Sequence, residues 1–152
     1  MKKLFIYILL LLALLSACSR ETRGLQDGSN PGADASLEET IDLNSLIAKL
    51  QTQGYTVQDS GDLDQPFFSV HGTVLTLKQD DLQIFEYAFS AAMQSEAQLV
   101  DPGGSSIGTT MVTWIETPHF FKGGRIIVIY LGDDDAILGD LQNIFGAQFA
   151  GR

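Results

Sequence analysis

Arg125-Ile126-Ile127-Val128-Ile129-Tyr130-Leu131 is the stretch on which the fold turns. An apolar run without alternation does not suit a strand that has one face in water. It predicts a strand at the centre of a sheet, or one buried on both faces. Just beyond it, Asp133-Asp134-Asp135 opens a helix whose apolar stripe is Ile137, Leu138, Leu141, Ile144 and Phe145, and Gly146 ends it. Just before it, Thr110 to Ile115 is β-branched and predicts a strand. The connection between these two strands carries Pro118-His119-Phe120-Phe121 and a turn at Gly123-Gly124.

Further upstream the same alternation of hairpin and helix is legible. Leu43, Leu46, Ile47 and Leu50 recur at i, i+3, i+4 and i+7, which predicts a helix. Ser36 with Glu39 fits a capping box at its start, with Asp42 as a second cap, and Gly54 stops it. Tyr55 and Val57 begin a short strand that Ser60-Gly61-Asp62 turns, and Phe67 to Val70 extends briefly. Thr73–Leu77 and Leu82–Tyr87 predict a hairpin around Lys78-Gln79-Asp80-Asp81. Phe89 to Leu99 is Ala-rich and predicts a helix, which Asp101-Pro102-Gly103-Gly104 breaks. Two hairpin-then-helix units suggest a weak internal repeat. The expected fold is α+β: an antiparallel sheet of four to five strands with three helices packed on one face, in two layers.

The N-terminus carries an address. Lys2 and Lys3 precede an aliphatic run from Leu4 to Leu15, the layout of a secretory signal. The run falls short of the roughly 20 apolar residues that span a bilayer. Leu15-Ser16-Ala17-Cys18 follows, and Cys18 is the only cysteine. This resembles the lipobox of bacterial lipoproteins. The resemblance implies cleavage after Ala17 and a diacylglycerol thioether on Cys18, so that the chain is held by lipid on the cell membrane or outer membrane, facing outside the cytoplasm. Ser19 after the cysteine resembles the pattern sent to the outer membrane of a two-membrane host. The expected organisation is a signal peptide at 1–17, a lipidated cysteine and flexible tether at 18–35, and a single domain at 36–152. As a flexible coil the tether spans roughly 20–25 Å.

Charge narrows the partners. Lys2 and Lys3 leave with the signal, so of 9 Lys and Arg 7 remain against 19 Asp and Glu, a formal charge of −12. That balance argues against nucleic acid, whose phosphates need Lys and Arg, and against attraction to anionic lipid. With Cys18 lipidated no disulfide is available, and a hydrophobic core supplies the stability.

No reactive constellation stands out. Gly104-Ser105-Ser106-Ile107-Gly108 matches G-x-S-x-G, but a nucleophile elbow needs a strand before the serine and a helix after it. Here a Pro-Gly turn precedes and a Thr-rich stretch follows. His71 and His119, the only histidines, lack ligand partners at helical spacing, so no metal or cofactor is expected. Asp133-Asp134-Asp135, with Asp62 or Asp64, offers carboxylates to a hard cation, but helix capping explains the triplet. Pro66-Phe67-Phe68 and Pro118-His119-Phe120-Phe121 are aromatic loops. Side by side, Phe67, Phe68, His119, Phe120 and Phe121 would make an apolar binding patch; the plainer reading is core edge.

The chain is also similar to small bacterial lipoproteins and secreted proteins of no assigned activity, through Gln65-Pro66-Phe67-Phe68-Ser69-Val70, Pro118-His119-Phe120-Phe121 and Gln148-Phe149-Ala150-Gly151. The expected function is a lipid-anchored, non-enzymatic binding or accessory module. Its partners would be the membrane, through Cys18, and a protein or small apolar ligand. The alternative is a small hydrolase using Ser106 or His119.

Overall fold

A computed structural model of the chain describes residues 40–152. The signal at 1–17, Cys18, the tether and the Ser36–Glu39 capping box lie outside the described residues. In chain order the elements are helix α1 (Leu43–Thr52), strands β1 (Val57–Leu63), β2 (Gly72–Leu77) and β3 (Asp80–Glu86), helix α2 (Ser90–Ala97), the short strands β4 (Ser106–Ile107) and β5 (Thr110–Met111), strands β6 (Pro118–Gly123) and β7 (Ile126–Leu131), helix α3 (Asp135–Phe145) and strand β8 (Ala150–Gly151).

Six strands form one sheet in the order β1-β2-β3-β7-β6-β8, every pair antiparallel, and β4 with β5 forms a separate ribbon. The sheet is therefore wider than the expected four to five strands. The aliphatic run is β7, between β3 and β6, with Ile126 to Tyr130 all fully buried. Each such side chain contributes about 1.5–3 kcal/mol by leaving water.

Successive side chains of a strand point to opposite faces, and β7 supplies two cores. Ile126, Val128 and Tyr130 join Leu46 and Leu50 of α1 and Ile137 and Leu141 of α3. Ile127 and Ile129 join Met93 and Ala97 of α2, with Phe85, Ile107 and Phe120. Both faces are covered, so the two-layer expectation is corrected: α1 and α3 lie on one face, α2 and the long connection after it on the other. The repeat of hairpin and helix exists along the chain only, because α2 and α3 pack on opposite faces.

Several boundaries also move. The helix with the Leu43–Leu50 stripe starts at Leu43, not near Ser36, and Asp42 is its cap. The Asp42 carboxylate accepts from the Ser45 N–H at 2.8 Å while the Ser45 hydroxyl oxygen accepts from the Asp42 N–H at 2.8 Å. Ser60-Gly61-Asp62 is not a turn; β1 runs through it with a bulge between Asp59 and Gly61. Gly and Asp interrupt regular pairing, and a bulge does so without reversing the chain. Phe67–Val70 is not extended pairing but a turn that packs its rings inward.

The largest correction concerns the partner of β7. The hairpin is β6–β7, closed by Gly124 and Arg125 with Gly124 at φ +53°, and Pro118-His119-Phe120-Phe121 is a strand, not a loop. Proline is tolerated as a first strand residue, where its missing N–H costs no ladder bond. Of Thr110–Ile115 only Thr110 and Met111 pair, with β4, and the rest leaves the sheet. The edge strand β8 escapes sequence reading because Ala-Gly has no strand signature. It fits because Gly151, at φ +98°, lies where a side chain would run into the Pro118 carbonyl.

Candidate functional site

The connection from α2 to β6 builds the most distinctive surface. Asp101 closes its first loop, accepting from the Ser105 N–H at 3.2 Å and the Ser105 hydroxyl at 2.6 Å. These hydrogen bonds, the hydroxyl's first, hold the Asp101 carboxyl below the usual carboxylate range. The β4–β5 ribbon follows, and then Val112 to Thr117 crosses the sheet as an irregular strap. Two bonds hold its near end: the Val112 N–H donates to the Ser105 carbonyl at 3.0 Å and the Trp114 indole N–H to the Gly104 carbonyl at 2.6 Å.

Under the strap an aromatic ladder connects the three motifs. Phe67 lies 5.1 Å from Phe68 and 6.0 Å from Trp114 between ring centres; Trp114 lies 5.7 Å from Phe120, and Phe120 6.0 Å from Phe149. Edge-on pairs of this kind contribute about 0.5–1.5 kcal/mol beyond burial. On either side of the strap the surface is hollow. One depression of about 420 Å³ is lined by Ser105, Trp114, Glu116, Pro118 and Arg152 among others. The other, of about 240 Å³, is lined by Gln65, Gln83, Trp114 and Leu131 among others. The Gln83 Oε1 beside it is buried without a donor. A third hollow of about 520 Å³ lies on the opposite side between α1 and α3 and has no comparable exposed apolar rim.

The aromatic residues expected to bind are placed as follows. Phe67, Phe68 and Phe120 share the α2 face, where Phe67 is half-buried and the other two are buried. Phe121 is fully buried on the opposite face against Phe145. His119 is also on that face, its ring 6.0 Å from Tyr130. The structure thus brings Phe67, Phe68 and Phe120 together and separates Phe121 and His119 from them. Residue type and spacing do not single out Trp114. The signal that marks it is a run from Phe89 to Ile115 whose only charges are Glu96 and Asp101, with Trp114 near its end.

The candidate reactive residues do not converge. Ser106 lies in β4 on the α2 face, and His119 faces away from it, so the two form no dyad. His119 Nδ1 is 2.8 Å from Gln148 Oε1; its Nε2 is buried without a hydrogen bond, with Asp133 Oδ1 at 3.8 Å. His71 is exposed and 3.5 Å from exposed Asp64, a surface contact of small energetic weight. Asp134 caps α3, accepting from the Ala136 and Ile137 N–H groups, and those bonds hold its carboxyl low. Among the described residues no group of three or more His, Cys, Asp or Glu could hold a metal ion, and no helix is long and apolar enough to cross a membrane.

No protein-family model matches the chain, and no curated protein and no solved structure matches it.

Proposed function

We propose that this chain is a lipid-anchored, extracytoplasmic binding or accessory module that works without catalysis. Lipid on Cys18 ties it to the membrane, and the face around Trp114 meets a protein or small apolar ligand. Nucleic acid is no partner for so acidic a chain. One observation carries this reading: Trp114 stands between two depressions on a face that exposes Met111 and Ile115, at 86% and 89% of full accessibility. Large apolar side chains so exposed, beside hollows, mark interaction sites.

The full chain expressed in a bacterium tests both halves. Membrane fractionation and intact mass read the anchor; a chain beginning at Met1, or a free Cys18 thiol in the soluble fraction, sinks it. Chemical cross-linking of whole membranes, with and without Ile115→Arg, reads the face. Loss of the cross-linked species in the variant supports the proposal, and an unchanged pattern overturns it. The hydrolase alternative requires esterase or peptidase turnover that Ser106→Ala or His119→Ala abolishes in a folded chain.

A further inference from the structure

One polar side chain of the sheet is left over. Gln83 stands in β3, opposite Val74 of β2 and Ile129 of β7. Phe85, two residues on, and Ile129 across the ladder both belong to the α2 core. Alternation therefore puts Gln83 on that apolar face as well. Its Oε1 is closed to solvent and accepts from no donor. An acceptor buried in this way forfeits the hydrogen bond that water would have given it, and folded proteins keep few of them. Among the described residues His119 Nε2 is in the same condition, but it has the Asp133 carboxylate 3.8 Å away. Gln83 instead lines the smaller depression beside the strap. The polar lining there is Gln65, Gln83 and Thr113, and the rest is large and apolar. Of the three hollows described above, this one has no charged side chain. The larger depression holds Glu116 and Arg152, and the hollow between α1 and α3 holds Lys49.

We infer that this hollow binds a small, neutral, largely apolar molecule that gives one hydrogen-bond donor, a hydroxyl or an amide N–H, to Gln83 Oε1. This is the small-ligand form of the reading already given for the Trp114 face, and it rests on that reading. Three features select the ligand. A charged molecule would lose its hydration here and meet no counter-charge, which is costly; a neutral one is spared that loss. The apolar body lies against Trp114, Ile115 and Leu131, as in most small-molecule sites. The leftover oxygen asks for a donor and not for another acceptor. Gln83 as a whole is half-buried, and the last torsion of an amide side chain is soft, so a turn of the amide delivers the oxygen to a donor seated there. The volume of about 240 Å³ lies just below the roughly 300–1,000 Å³ of drug-sized sites. It suits a single ring and not a peptide.

The test titrates the full chain with cyclohexanol and with cyclohexanone, which share ring and size while only the alcohol donates. Trp114 is the only tryptophan, so its indole N–H gives a single NMR signal from the wall of the hollow. The account expects that signal to move saturably with cyclohexanol and the ketone to bind about tenfold more weakly. Cyclohexanecarboxylate and cyclohexylammonium should bind more weakly than the alcohol. In Gln83→Leu, which removes the acceptor and sets an apolar side chain on an apolar face, alcohol and ketone should bind alike. No saturation with the alcohol, a ketone that binds as well in the parent chain, a charged analogue that binds best, or an alcohol preference that survives Gln83→Leu, each overturns the inference. If cyclohexanol fails while Ile115→Arg still abolishes the membrane cross-links, the face meets a protein and only the ligand falls. If the cross-links also persist in that variant, the reading of the face falls with it.

Discussion

Phe120 and Phe121 are consecutive in the chain, and the sheet lies between their rings. Both are fully buried, Phe120 with Trp114, Phe149 and the α2 core, Phe121 with Phe145 and the α1–α3 core. Trimming either ring to Leu is expected to cost about 1–3 kcal/mol. Because the two voids share no partner, the costs should add to within about 0.5 kcal/mol in the double variant. Urea midpoints of the two single variants and the double variant check this; a coupling well above that margin would mean that the two cores are one.

Stability should fall on both sides of neutrality, for reasons with opposite signs. Hydrogen bonds from Ser45, Ser105, and the Ile137 and Ala136 N–H groups hold Asp42, Asp101 and Asp134 below the ordinary value of 3.8. The stabilisation these groups give is present above pH 3.8 and is lost as pH drops through the folded values, because the unfolded chain takes up protons first. On the alkaline side, burial, then the Asp140 carboxylate, pushes Tyr55 up to about 12, and burial with Asp80 pushes Tyr130 up to about 12. Between pH 10 and 12 the unfolded chain ionises first and stability falls. Urea midpoints across pH should show both limbs. Asp134→Asn, which keeps the capping oxygen, should flatten the acid limb, and should also soften the alkaline one, because the Asp134 charge helps raise Tyr55 and Tyr130.

Gly151→Ala should unseat the edge strand. Gly151 sits at φ +98°, and a Cβ there would meet the Pro118 carbonyl. Its N–H also donates to the Pro102 carbonyl at 3.0 Å, which ties the end of β8 to the loop after α2. The strain of the backbone alone amounts to about 1–3 kcal/mol, and the clash adds to it. Trp114 fluorescence should shift to the red as the loop beneath it opens. A variant with native fluorescence and an unchanged melting temperature would contradict this.

Trp114→Phe should loosen the strap and leave the sheet intact. It keeps an aromatic ring against Phe67 and Phe120 but deletes the N–H that bonds the Gly104 carbonyl. The net loss is about 0.5–1.5 kcal/mol. Hydrogen exchange of the Val112 amide, bonded to Ser105, should quicken, while that of Ile127 in central β7 stays near its parent rate. Equal acceleration at both would show that the strap opens only with the whole domain.

Strong periodicity made most of the fold legible and little of the surface. The β7 run and the α1 and α3 stripes lie where the sequence puts them, and so does the β2–β3 hairpin, though its turn is Lys78-Gln79 alone because Asp80 and Asp81 pair within β3. The β-branched residues of Thr110–Ile115 pointed to a strand, because side-chain type reports extended backbone and not the presence of a pairing edge. Pro118 pointed to a loop, although the same residue is allowed at a strand's first position. Which helix takes which face depends on non-local packing, so two layers and three could not be told apart from residue order. At the surface, Phe120 and Phe121 offer themselves as binding candidates beside the plainer reading of core edge, and the structure buries both fully. Trp114 is marked by what surrounds it: a stretch nearly free of charge in an acidic chain.

The central claim is that this chain works by contact through the Trp114 face. Hydrogen exchange of residues 110–117 measures that face directly, in the chain as it stands in native membranes and again after extraction and dilution. The account predicts slow exchange over this strap in the membrane and faster exchange once diluted, with β7 unchanged. Equal exchange over the strap in both states, with protection found instead over α1 and α3, would contradict it.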